Sequence, residues 1–156
     1  MLKQFTSAVV LALGNVEAQD AGNPRINAVR VVYSEVNTLK DTGKLNLLKK
    51  DVVGCTGVKE SRQMWSDAAG NVRRYRTKDG VYTFEYTYDN AGALRYLGGL
   101  GNNGQGQKIV WRYYFNEKGG QVWYDYQSQG GHSSWVDAKT RLVKNPKDAF
   151  EKAPTC

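Results

Sequence analysis

The chain contains one histidine, His132, in the stretch QGGHSSW. Any acid–base scheme that needs an imidazole near neutral pH must use it. Glu85 and Arg112 are the charged groups that could join it. Together they would place a general acid and base beside a cation, the arrangement a small hydrolase of ribonuclease type requires. Glu85 and Asp125 form a second candidate set, the paired carboxylates of a glycosidase, provided both project from one face of a sheet. Ser133 and Ser134 adjoin His132, but the members of a Ser/His/Asp arrangement are rarely sequence neighbours. Each scheme depends on the 129–135 loop folding across a polar sheet face. Otherwise His132 is a solvated loop residue.

Other chemistries find no support. Two cysteines and one histidine scattered along the chain give no metal-ligand spacing, so neither a metal nor a cofactor is expected. GGLGNNGQG, residues 98–106, lacks the lysine and the strand-to-helix setting of a phosphate-binding loop. The glycine-rich segment 98–107 reads instead as a mobile hairpin loop whose Asn102, Asn103, Gln105 and Gln107 could bond a ligand.

Aromatic chemistry is the other possibility. In VYTFEYTYDN every second residue is a ring: Tyr82, Phe84, Tyr86 and Tyr88. With a turn at Asp89–Gly92, Tyr88 is expected opposite Leu94 and Tyr86 opposite Tyr96. With a turn over 116–121, Phe115 faces Val122, Tyr113 faces Tyr124 and Trp111 faces Tyr126. Opposed residues share a face. One face then carries the 82–88 rings with Leu94, Tyr96, Ile109, Trp111, Tyr113, Phe115, Val122, Tyr124 and Tyr126. The opposite face carries Thr83, Glu85, Thr87, Arg95, Arg112 and Asp125, with Arg112 across from Asp125 as a cross-strand ion pair. The ring-rich face is either core or an exposed platform for a glycan or a partner protein. Tyr82, Tyr86, Tyr96, Trp111, Tyr113, Tyr124 and Tyr126 are its candidate ligand-binding residues.

The elements that must position these groups are legible from periodicity. Residues 23–40 predict a helix, with Asn23 as N-cap, Pro24 at the first position, and Ile26, Val29, Val32, Tyr33, Val36 and Leu39 on one stripe. KLNLLKKDVVGC is ambiguous between a short helix and an irregular connection. From Lys59 the period becomes two, and strands are expected over 59–66, 71–77, 81–88, 93–98, 108–115 and 121–128. Three connections repeat one pattern, Asp67…Gly70, Asp89…Gly92 and Asn116…Gly119. In each, the side-chain oxygen can bind backbone N–H groups and the glycine can close the loop. The fold class is therefore α+β: an N-terminal helix packed on an antiparallel up-and-down β-meander of about six strands, with an irregular C-terminal tail over 129–156. That helix is expected to lie on the ring-rich face but is too narrow to cover it, leaving the rest to the tail or to solvent.

WSDAAGNVRRY, YTYDNAGALRY and YYFNEKGGQVWYDY resemble the aromatic-Asp/Asn-x-x-Gly hairpins of YD-type and MORN-like repeats. The layout over residues 23–128 is also similar to that of small exported bacterial proteins of unknown function. The resemblance implies a β-hairpin fold and carries no site residues.

Residues 1–18 have the outline of a secretory signal: Lys3, an apolar stretch from Phe5 to Leu13, and small residues Val16 and Ala18 before the expected cleavage point. The mature domain is then 19–156, secreted or periplasmic. In that setting Cys55 and Cys156 are expected to form one disulfide, the alternative being free thiols. No apolar run is long enough to span a membrane as a helix. The net charge of +7 is spread evenly along the chain, so no nucleic-acid partner is expected. The leading expectation is an exported, non-catalytic binding or structural module of the cell envelope, with a protein or glycan partner. The alternative is the small hydrolase built on His132, Glu85 and Arg112.

Overall fold

The computed structural model describes residues 22–102, 106–128 and 138–154. Helix α1 runs Pro24–Asp41 and is followed by seven strands: β1 Asn46–Val53, β2 Lys59–Ser66, β3 Val72–Lys78, β4 Tyr82–Tyr88, β5 Leu94–Asn102, β6 Lys108–Phe115 and β7 Gln121–Ser128. A 3-10 turn at Ala138–Arg141 and helix α2, Pro146–Glu151, complete the elements of the described residues. All neighbouring strands are antiparallel and sheet order equals chain order, an up-and-down meander. The α+β architecture is thus the expected one. The ambiguous segment after the helix supplies an additional strand, β1.

Helix α1 starts where its sequence requires. The Asn23 side chain accepts from the Arg25 and Ile26 amides, at 3.0 and 3.5 Å, and Pro24 needs no partner at the first helical position. Ile26, Val29 and Val36 are buried along one stripe.

The three repeated turns are copies of one another. Asp67 Oδ1 accepts from Ala69 and Asn71, Asp89 Oδ1 from Ala91 and Ala93, and Asn116 Oδ1 from Lys118 and Gly120, all at 2.9–3.0 Å. Gly70, Gly92 and Gly119 have φ of 85, 85 and 86°, the left-handed conformation that closes this loop and that glycine adopts without strain.

Each copy also contains a bulge, which alters the expected register. Trp65 pairs with Arg74 but Ser66 with Val72, Thr87 with Tyr96 but Tyr88 with Leu94, and Tyr114 with Trp123 but Phe115 with Gln121. Arg73, Arg95 and Val122 are the extra residues. The predicted pairs Tyr88–Leu94, Trp111–Tyr126 and Tyr113–Tyr124 hold. Tyr86 pairs with Leu97 rather than Tyr96, and Phe115 with Gln121 rather than Val122. A one-residue slip moves a side chain to the other face, so Tyr96 and Val122 leave the ring-rich face.

The sheet is covered on both sides. On the first face Met64, Tyr75, Phe84, Tyr86, Tyr88, Leu97, Ile109, Trp111 and Tyr113 form one core cluster with Phe150 of α2. Tyr86 and Tyr88 donate from their hydroxyls to the carbonyls of Arg141 and Val143, at 2.5 and 2.7 Å. On the second face Ile26 and Val29 of α1 pack on Tyr96 and Tyr114. The helix therefore lies on the arginine-bearing face, not on the tyrosine row. Matching of donors and acceptors accounts for this. Arg73 and Arg74, each at most 2 % exposed, reach Glu35 Oε1 and Asn37 Oδ1 of the helix at 3.2 and 2.6 Å. The tail offers backbone carbonyls, which suit tyrosine hydroxyls.

The glycine-rich segment is only partly a loop. Gly98, Gly99 and Gly101 lie within β5. A Cβ at Gly99 would stand 2.7 Å from Trp111 Cε3, and one at Gly101 2.5 Å from Tyr82 Cδ1. These glycines let rings lie across the strand.

Candidate functional site

The seven candidate rings do not form one platform. Tyr86, Trp111 and Tyr113 are buried in the tail-side core, and Tyr96 is buried under α1 on the other face. Burial removes these four from any exposed contact surface. Tyr82 and Tyr126 are half-buried, and Tyr124 is 40 % exposed. The Tyr124 ring lies 4.7 Å from that of Tyr113, and the Tyr126 ring 6.3 Å from that of Trp111. Edge strand β7 thus presents Tyr124 and Tyr126 on one face, each backed by a buried ring of β6. Such backing fixes ring orientation and lowers the entropy lost when a ligand stacks on it.

The acid–base candidates are distributed differently. Glu85 and Arg112 both face α1, separated across β5 by Gly98. Glu85 is held by Arg74 Nε at 3.5 Å and Arg76 Nη2 at 2.5 Å. Burial by itself would raise its pKa, but the two guanidinium groups outweigh burial and hold it below the usual carboxyl range. Glu85 is a fixed carboxylate and a poor proton donor. Arg112 Nη2 pairs with Asp125 Oδ2 at 2.5 Å, the cross-strand pair expected, and its guanidinium lies 5.4 Å from the Trp123 ring centre. Asp125 is therefore engaged with a cation rather than poised opposite Glu85. His132, Ser133 and Ser134 lie outside the described residues, as do Asn103, Gln105, Trp135 and Cys156. Cys55 is not a free thiol, while its expected partner Cys156 is among the residues not described.

A cleft of about 440 Å³ opens beside the start of α1, between Pro24, Arg25, Arg95, Asn116, Lys118 and Val122. Its most buried cation, Arg95, already donates to the Phe115 carbonyl at 2.9 Å and to Asp89 at 3.3 Å. Among the described residues no cluster of His, Cys, Asp and Glu could hold a metal, and no helix is long and apolar enough to cross a membrane.

Sequence reasoning overlooked the arginines at the bulges. Arg73 donates from Nε to the Tyr88 carbonyl at 3.1 Å, as Arg95 does to Phe115. Each ties its own hairpin to the strand before the next turn. The signal was present: an arginine stands three residues after the turn glycine in GNVR and in GALR, and valine replaces it in the last copy, GGQV.

No family model matches the chain, and neither a curated protein nor a solved structure matches it.

Proposed function

We propose that this chain is an exported, non-catalytic binding module of the cell envelope whose contact surface is the Tyr124–Tyr126 face of β7. The observation that carries this reading is the contrast between the two kinds of candidate. Glu85 is held in ion pairs by Arg74 and Arg76, and Arg112 and Asp125 pair with each other. Tyr124 alone among the candidate rings is exposed, and it is braced from behind by Tyr113. A braced, exposed tyrosine beside a half-buried one suits the flat apolar face of a sugar ring in an envelope glycan. A partner protein is the other ligand class the same surface would accept.

The experiment is fractionation followed by binding. Export predicts a mature chain that begins at Gln19, is found outside the cytoplasm, and is lighter by two hydrogens if Cys55 and Cys156 are joined. Purified mature protein should cosediment with insoluble envelope glycan, and soluble oligosaccharide should compete. Retention of the unprocessed chain in the cytoplasm contradicts the export half. Capture of envelope proteins without glycan binding moves the ligand to the protein class. Loss of a measurable hydrolytic activity on His132→Ala substitution would replace this proposal with the enzymatic alternative.

A further inference from the structure

Beyond that reading, we infer that β1 is a self-association edge, at which two copies pair antiparallel about a two-fold axis through Lys50. Strand β1 is the outer strand of the sheet, and among the described residues no strand pairs with its free side. It runs eight residues without proline, glycine or a register break against β2. An uninterrupted edge of this length is a template for another strand unless it is blunted. It is also apolar on both faces. Leu47 is 37 % exposed, Leu48 46 % and Val53 66 %. Leu47 is opposite Trp65 and Leu48 opposite Met64, so they belong to the helix face and the tail face respectively.

Lys49, Lys50 and Asp51 are the charges that could blunt this edge. Asp51 is already held by Lys59 of its own chain at 2.9 Å, with room for a second cation on the same carboxylate, and one register accommodates all three. With Lys50 opposite Lys50 of a second copy, Lys49 stands opposite Asp51, Leu48 opposite Val52, and Leu47 opposite Val53. Every pair is formed twice except the central one. Because the axis is normal to the sheet, each pair joins residues of the same face. The helix side gains two Lys–Asp pairs and two apolar pairs, and the tail side gains two apolar pairs. The remaining conflict is the two central lysines. Lys50 Nζ is already drawn to Glu151 Oε2 of its own chain at 3.2 Å, which neutralises it and turns it away from the axis. The neighbouring two-fold registers are worse. Centred on Lys49 they set Lys49 against itself, Leu48 against Lys50 and Leu47 against Asp51, and centred on Asp51 they set Asp51 against itself, Lys50 against Val52 and Lys49 against Val53. The charge pattern thus selects a second copy, in a single alignment. Such a strand-to-strand contact is small, so the dimer should be weak and concentration-dependent.

The test uses the full oxidised mature chain. Sedimentation equilibrium should give a dimer mass at roughly 100 μM and a monomer mass after about hundredfold dilution. Lys49→Asp should abolish the dimer, and Lys49→Asp combined with Asp51→Lys and Lys59→Asp should restore it, since this swap keeps complementary both the cross-pairs and the pair that residue 51 makes with residue 59 of its own chain. A single Lys50→Cys should cross-link to its own copy on mild oxidation, because facing Cα atoms in an antiparallel pair are about 4.5–5.5 Å apart, within disulfide reach. Lys49→Cys, which faces residue 51, should cross-link at least tenfold less. Circular dichroism of each variant establishes that it is folded. A monomer at every concentration, a dimer indifferent to Lys49→Asp, or equal cross-linking at positions 49 and 50 overturns the inference.

Discussion

Arg95 donates from Nε to the Phe115 carbonyl at 2.9 Å, as Arg73 one unit earlier donates to the Tyr88 carbonyl at 3.1 Å. Both arginines are almost completely buried, and both occupy the bulge after a turn. The meander is therefore linked unit to unit by side chains as well as by its ladder. Arg95→Ala should lower unfolding free energy by about 2 kcal/mol, the cost of leaving a buried carbonyl without its charged donor. Arg73→Ala should behave alike. Val122→Arg should give no gain, since among the described residues no strand follows β7 to supply the next carbonyl. Urea unfolding followed by circular dichroism measures all three.

Gly99 lies against Trp111 and Phe84, where an added methyl would approach to 2.7 and 3.0 Å. Gly99→Ala should therefore destabilise by about 1–3 kcal/mol, the range for overpacking a filled core. Gly92→Ala would meet no neighbour but must hold φ at 85°, so it should cost about 1 kcal/mol from backbone strain alone. Thermal unfolding of the pair separates the two causes.

Glu85 governs the acid limb. Its carboxyl sits below the ordinary value of 4.5 because Arg74 and Arg76 outweigh its burial. The stability it contributes is fully present above about pH 4.5 and is lost as pH falls through its lower folded value. Glu85→Gln should lower stability at neutral pH by about 3 kcal/mol, by leaving the buried Arg74 and the half-buried Arg76 guanidinium groups short of an acceptor charge. It should also flatten the decline below pH 4.5. A pH series of denaturation midpoints for both proteins tests this.

Tyrosines govern the alkaline limb. Burial raises Tyr75 to about 12, and raises Tyr86, Tyr88 and Tyr96 further. Their neutral forms contribute stability that is whole below pH 10, the unfolded value, and is lost as pH rises through the folded values. Tyrosinate absorbance of these rings should therefore appear together with unfolding rather than as a separate earlier step. Tyr88→Phe removes the hydroxyl bond to Val143. It should cost about 1 kcal/mol and speed proteolysis of the 138–154 segment before the sheet is cut.

Helix α1, the turns and six of the seven strands were legible to within a few residues because capping, periodicity and turn chemistry are local. Strand β1 was not, because NLLKKDVV has no alternation: as an edge strand it buries neither face fully. The face assignment failed at Tyr96 and Val122 because a bulge has no composition of its own. It is seen only when two residues of one strand oppose one of the next. In the third hairpin Gly120 reads as a surplus loop residue, whereas it pairs across the turn with Asn116 and the surplus residue is Val122. The side on which the helix docks was illegible for a related reason. Arg73, Arg74 and Arg112 look like a solvated face until Glu35, Asn37 and Asp125 are seen to meet one nitrogen of each. Tyr96 came among the ligand-binding candidates through its bulge, whereas Tyr86, Trp111 and Tyr113 lie on the expected face and are core because that face is packed.

The proposed role stands or falls on Tyr124, the one candidate ring that is both exposed and braced. The decisive measurement is the affinity of mature wild-type protein and of Tyr124→Ser for envelope glycan, with thermal midpoints recorded for each. The account predicts at least a tenfold loss of affinity, about 1.4 kcal/mol, with the midpoint almost unchanged. Undiminished binding by a folded Tyr124→Ser protein would contradict it.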